Sequence, residues 1–191
     1  ALLPLVGEAK PLETRLTDYA QYYESRWREM MAAKLGLLEY AEPINAQLLN
    51  LLTVIETDMT LFFRHLADVD LTDPDGWQTL KPAFYRDEEV TPAYVEQLQA
   101  WLAMYQAELS RQQIQDRATV MNATNPKYVL RNYLAQMVID EVEQGKSVLL
   151  ERVMQVLKRP YDDQPEHDDL AARRPEWART RVGCSMLSCS S

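Results

Sequence analysis

The sequence predicts an all-α fold, an irregular multi-helix bundle, on three observations. Apolar residues recur at three- and four-residue spacing in segment after segment of the 191 residues, the pattern of a helix that buries one face. Glycine occurs only 5 times, where average usage of about 7% would give roughly 13, so the hairpin turns of a sheet-rich fold lack residues that accept positive φ. Proline repeatedly stands where it opens a helix, at Pro43, Pro92 and Pro126.

The elements follow in order. Leu16, Tyr19, Tyr23, Trp27, Met30, Met31 and Leu35 mark a first helix, with Gly36 as its C-terminal cap. Glu42-Pro43 opens a second, with a stripe of Ile44, Leu48, Leu51, Leu52 and Ile55. A third runs from about Asp58 to Ala67 and carries Met59, Phe62, Phe63 and Leu66 on one face. From 68 to 90 the pattern breaks. Asp73-Pro74-Asp75-Gly76 is a turn signal and Lys81-Pro82 prevents a clean helix, so this stretch reads as a loop or short irregular insertion.

Thr91-Pro92 restarts order as an N-cap followed by proline, and Tyr94, Val95, Leu98, Trp101, Leu102, Tyr105 and Leu109 line one face for four turns. Asn125-Pro126 reads as the clearest helix start in the chain. Leu130, Tyr133, Leu134, Met137 and Val138 would form its buried stripe, and Arg131 and Asn132 would sit one and a half turns in. Gln144-Gly145-Lys146-Ser147 ends that helix and caps the next, which carries Leu149, Leu150, Val153, Val156 and Leu157. The division expected is a helical domain over 1–159 and an extended tail over 160–191. In the tail, five acids between Asp162 and Asp169 precede Arg173, Arg174, Arg179 and Arg181. It either folds back over the helices or stays mobile.

Composition narrows the function classes. A chain of this size can bury roughly 70% of its unfolded surface and needs no disulfide or metal to hold a core. Net charge is −9, so nucleic acid and anionic membrane surfaces repel it. No apolar run reaches the roughly 18 residues of a membrane span. The start, Ala1-Leu2-Leu3-Pro4-Leu5-Val6, has no basic n-region, cleavage site or initiator methionine, and reads as the middle of a longer chain or as a processed or engineered start.

Chemistry-bearing constellations are sparse. No two glycines lie within six residues of each other, which disfavours a phosphate-cradling loop. The two histidines, His65 and His167, form no Glu-x-x-His or His-Glu-x-x-His spacing. His65 one turn before Asp68 reads as a surface or core-edge histidine rather than a metal ligand. No serine-nucleophile elbow and no kinase signature is present. Arg131 is either a structural clamp or a ligand contact. Cys184 and Cys189, both in the last eight residues, read as exposed thiols, reactive or without role.

The run Asn125-Pro126-Lys127-Tyr128-Val129-Leu130-Arg131-Asn132-Tyr133-Leu134-Ala135-Gln136 strongly resembles the signature of the selenoprotein O (SelO) family. Supporting matches are Arg159 to Pro165, Pro175-Glu176-Trp177-Ala178, Thr60 to Arg64, Trp101-Leu102 and the terminal Cys189-Ser190-Ser191, where some members carry selenocysteine. The resemblance covers the chain from about residue 16 onward. It implies the C-terminal helical part of a kinase-like (pseudokinase) fold that transfers AMP from ATP to protein hydroxyls with Mg or Mn.

On that resemblance the glycine loop, the ATP-orienting residues and the metal ligands lie upstream. No catalytic, cofactor-binding or metal-binding residue is therefore expected among these 191, and the chain alone is expected to be inactive. The expected partners are the kinase-like part and protein substrates, with no nucleic acid and no membrane. The expected setting is a bacterial-type cytoplasm with cysteine in place of selenocysteine. The resemblance also implies a redox bond between Cys189 and a cysteine of the kinase-like part, for which Cys184, only five residues away, would be a poor substitute partner, and marks Asn125, Pro126, Arg131 and Asn132 as structural motif residues. The alternative function is an all-helical interaction module that recruits substrate proteins through the acidic and arginine-rich tail.

Overall fold

A computed structural model describes residues 7–184. Among these residues seven α-helices and four short 3-10 segments follow one another, with no strand beyond a single isolated bridge between Thr57 and Phe84. The helices are α1 (Lys10–Lys34), α2 (Glu42–Val54), α3 (Met59–Leu66), α4 (Pro92–Arg111), α5 (Arg117–Thr124), α6 (Asn132–Glu143) and α7 (Val148–Val156). The all-α expectation holds.

Local signals account for most helix ends. Gly36 takes φ +65 just past α1. Its N–H donates to Ala33 O (3.0 Å) while the Leu37 N–H reaches back to Ala32 O (2.9 Å), which satisfies two carbonyls of the last turn. Thr91 caps α4 by accepting the Tyr94 N–H (3.2 Å), and Asp58 caps α3 by accepting the Leu61 N–H (3.1 Å). Lys146 N–H closes α6 on Glu141 O (3.1 Å), as the Gln144–Ser147 signal predicts.

A first core lies between the end of α1, α2, α3 and α4. Leu35, Leu48, Leu66, Leu80 and Leu98 are fully buried around Phe62, Phe63, Phe84, Trp101 and Tyr105. Trp101 and Tyr105 stack with ring centroids 5.3 Å apart. Their polar tips are both satisfied: the indole N–H donates to Ile44 O (2.9 Å) and the Tyr105 hydroxyl to Leu35 O (2.6 Å). The irregular stretch after α3 packs back onto that helix as a 3-10 segment, Gly76–Ala83, with Pro82 inside it. A Cβ at Gly76 would stand 2.1 Å from Asp70 O. Gly76→Ala is therefore expected to destabilise by about 1–3 kcal/mol, because backbone rather than a side chain must move; urea denaturation reads the loss.

A second core is built from Tyr128, Tyr133 and Leu134, Val153 and Val156 of α7, and Leu170, Ala171, Ala178 and Cys184. Residues on both sides of position 159 thus share it. The segment after Pro160 folds back over α6 and α7 through two 3-10 turns, Pro165–Ala171 and Glu176–Arg179, the first of the two behaviours left open by its sequence.

Four expectations are corrected. Asn125-Pro126 does not start a helix: Asn125 is the C-cap of α5, a helix the periodicity did not reveal, and α6 starts seven residues later with Arg131 as its N-cap. Asn125 donates to Met121 O (2.9 Å), a last-turn carbonyl, and Pro126 then prevents continuation. Leu130 precedes α6 and is exposed, and Met137 is exposed although it shares a face with Tyr133 and Leu134, which are buried because the second core covers that face at its first turn. Cys184 is buried rather than exposed, since the returning chain lays it into the second core. Leu16, Tyr19 and Tyr23 of α1 are largely exposed, because the first core engages that helix only from Trp27 onward.

Candidate functional site

The residues singled out by their sequence converge on the junction between the two cores. Asp58, at the head of α3, is 5% exposed. Arg131, at the head of α6, reaches it with both terminal nitrogens, one at 3.0 Å from Oδ1 and the other on Oδ2. Tyr85 OH adds a third donor to Oδ2 (3.0 Å) and the Leu61 N–H a fourth. Burial pushes the Asp58 carboxyl up, but Arg131, the Leu61 N–H and Tyr85 outweigh it and hold the group below the usual carboxylate range. Arg131 clamps Asp58 with both terminal nitrogens, and its buried Nε has no hydrogen-bond partner among the described residues.

Around this pair the returning chain adds a second layer. Glu56 receives Arg174 (2.6 Å) on one oxygen and Arg179 on the other. Burial raises the Glu56 carboxyl, yet the two guanidinium groups bring it below its ordinary value. Both arginines also lie over the Tyr85 ring, at 5.0 and 5.7 Å. Arg173 donates to Phe84 O. Arg64 gathers three carbonyls, Asn122 (3.2 Å), Asn125 (3.3 Å) and Tyr161 (3.2 Å), and faces Asp163.

Asn125 and Lys34 form a reciprocal clasp. Lys34 Nζ donates to Asn125 Oδ1 (3.0 Å), and Asn125 Nδ2 donates to Lys34 O (2.9 Å). Burial pushes the Lys34 ammonium down, and the Phe63 ring face lies 4.8 Å away. Lys127, two residues on, pairs with Asp163 (3.0 Å) and Asp168 (2.7 Å). Burial opposes its charge, but the two carboxylates raise it to about 12. Tyr128 OH donates to Gln164 O (2.8 Å), and Gln164 Nε2 caps Val156 O and Arg159 O. Pro126 is half-buried in the turn, and Asn132 is exposed on the first turn of α6.

Two open hollows flank Pro82 and Arg173. One, of about 460 Å³, is lined by Trp77, Lys81, Asp87 and Val90; the other, of about 410 Å³, by Leu61, His65, Lys127 and Asp168. His65 stands at the core edge, and burial keeps its imidazole below the ordinary value. Neither hollow gathers a nucleophile with a base. Among the described residues no group of three His, Cys, Asp or Glu side chains is placed to hold a metal ion. With no such group, the residues described do not fit a metal–nucleotide complex.

The sequence pointed to Asn125, Pro126, Arg131 and Asn132 but missed their partners. Asp58 was visible as the residue before an apolar helix. Glu56, Tyr85 and Arg64 carried no local signal, because their partners lie from 27 to 123 residues away in the chain. Cys189 lies outside the described residues. Several charged groups of the tail pair within the chain: Asp163 and Asp168 with Lys127, Asp169 with Arg152 (2.7 Å), and Arg181 with Asp140 (2.6 Å), the three aspartates staying more than half exposed.

The sequence model of the family described as protein adenylyltransferase SelO matches residues 1–158. The chain belongs to the SelO family. Its relatives include the protein nucleotidyltransferase YdiU of Rhodopirellula baltica, 44% identical over 209 residues, which cover all of this chain and 39% of that protein. The YdiU of Azoarcus sp. is 47% identical over 197 residues, with 37% of its length covered. That of Xanthomonas campestris pv. campestris is 46% identical over 196, with 38% covered. The chain spans about two fifths of the length of these curated SelO-family relatives. No helix among the described residues is long and apolar enough to cross a membrane.

Proposed function

We propose that these residues form the C-terminal helical part of a protein adenylyltransferase, which moves AMP from ATP to hydroxyl groups of proteins and releases pyrophosphate. In this reading the helices buttress a kinase-like catalytic part that holds ATP and Mg or Mn. The supporting observation is the SelO family match over residues 1–158, on a chain whose buried charged groups are spent holding its own two cores together. The test uses the full-length protein, a divalent metal and a general protein acceptor. Label on the α-phosphate of ATP is expected to become covalently attached to protein, and label on the γ-phosphate is not. Transfer of γ-label would mean phosphorylation and would overturn the proposal.

The same reading gives Cys189 a redox role toward the kinase-like part. Buried Cys184 is the poorer candidate, since attack on a disulfide needs an accessible thiolate. Cys189→Ser in the full-length protein is expected to abolish the response of activity to reductant, while Cys184→Ser leaves that response in place. A response that survives Cys189→Ser would end the redox role.

The alternative of a recruiting module that docks substrates through the charged tail has less support. Asp163, Asp168, Asp169, Arg173, Arg174 and Arg179 are already partnered within the chain.

A further inference from the structure

Helix α1 is 25 residues long, and the first core engages it only near its end, through Trp27, Met31, Ala32 and Leu35. The preceding four turns carry Leu12, Leu16, Tyr19 and Tyr23. At 3.6 residues per turn these four and Trp27 fall within about 80° of arc, so they form one continuous seam. Their spacing of four, three and four residues is that of a helix packed along a neighbouring helix. Yet Leu16 is 70% exposed, Tyr19 65% and Tyr23 58%. The Tyr19 and Tyr23 rings lie 6.3 Å apart along the seam. The outer faces of the same turns are polar and pair among themselves: Arg15 with Asp18, Arg28 with Glu24, and Arg26 with Tyr22 and Glu29. A helix with one apolar seam, one polar face and no described residue covering the seam is an interface half.

The occupant is argued from chain length. The relatives align with the whole of this chain, and about three fifths of each relative lies beyond the alignment. We infer that the seam Leu16, Tyr19 and Tyr23 is the docking surface for the part of the family-length protein outside these 191 residues, and that an apolar helical face of that part lies along it. This rests on the proposed reading of the chain as one part of a longer adenylyltransferase, and it names the contact through which the two parts hold together. Trp27 makes the seam continuous with the first core, so the docked face would extend that core along α1.

The experiment uses the full-length protein. The photoreactive residue p-benzoylphenylalanine is placed at position 19 on the seam, or at position 21 on the opposite face, and cross-linked peptides are mapped by mass spectrometry. The expected result is a cross-link from position 19 to a peptide outside these 191 residues of the same molecule, severalfold more abundant than any from position 21. Mixing isotope-labelled and unlabelled protein separates contacts within one molecule from contacts between two. Cross-links only between two molecules would assign the seam to a second copy and overturn the inference. Equal cross-linking from positions 19 and 21, or none from 19, would also overturn it. In parallel, Leu16→Ser with Tyr23→Ser is expected to lower the melting temperature of the full-length protein by several degrees, and Gln21→Ser to leave it unchanged. The α-label transfer assay on the wild-type protein reads the enzymatic reading separately. Its failure would remove that reading without altering the cross-link map, and a missing cross-link with transfer intact would remove only the docking seam.

Discussion

Arg131→Ala is expected to destabilise the fold by about 3–5 kcal/mol, among the largest effects a single substitution can have here. The loss comes less from the attraction removed than from the group left behind. Asp58 stays buried at the head of α3 with a full charge and only the Leu61 N–H and Tyr85 OH to answer it. Asp58→Asn is expected to cost less, since the amide oxygen still accepts the Leu61 N–H and the arginine, at 14% side-chain exposure, keeps some access to water. The pH dependence follows from the direction of the Asp58 shift. Its carboxyl is held below the unfolded value of about 3.9, so the stabilisation is fully present above that pH and is lost as pH falls through the lower folded value. Glu56 acts in the same direction. Urea midpoints of wild type and Arg131→Ala should therefore be far apart at pH 7 and draw together below about pH 4. A gap that stayed constant into acid would show that the pair does not stabilise through its charge.

Trp101→Ala is expected to cost a similar amount, about 3–5 kcal/mol, by a different route. Trp101 is 1% exposed, stacks on Tyr105 and lies tilted by 53° beside Phe62 with ring centroids 6.4 Å apart. Its loss opens a cavity at the centre of the first core and strands Ile44 O, which accepts the indole N–H. Trp101→Phe separates the two contributions: it keeps most of the volume but leaves that buried carbonyl unpaired, at about 1–3 kcal/mol. Calorimetric or urea unfolding should rank wild type above Trp101→Phe and Trp101→Phe above Trp101→Ala. Equal losses for the two variants would show that the hydrogen bond, not the packing, dominates.

Local physics made much of this fold readable. Gly36, Thr91 and the Gln144–Ser147 turn announce helix ends because each satisfies orphaned backbone groups within a few residues. Trp101 and Tyr105 read as core because they recur on one face for four turns, and both are buried. Asn125-Pro126 misled for a physical reason. Asparagine offers both an acceptor for N–H groups at a helix start and a donor for carbonyls at a helix end, and proline stops one helix as readily as it opens another. The choice was made by Lys34, 91 residues away, which the asparagine clasps from the end of α5. The junction itself was half legible. Arg131 stood out as a clamp or a ligand contact, but Asp58 is 73 residues from it and Glu56 is 118 and 123 residues from its two arginines. Pairings at that range leave no periodic trace. The folding back of the tail was left open because the partners of its acids and arginines sit on α3, α6 and α7, around the turn at Lys127, and at Glu56 and Phe84.

The proposed role of these helices is to support a nucleotide site made by the remainder of the protein. Photolabelling the full-length protein with 8-azido-ATP and Mn²⁺, followed by peptide mapping, tests it most directly. Label is expected on peptides outside these 191 residues, and excess ATP should suppress it. ATP-suppressible label on peptides from residues 7–184 would place the nucleotide on these helices and contradict the account.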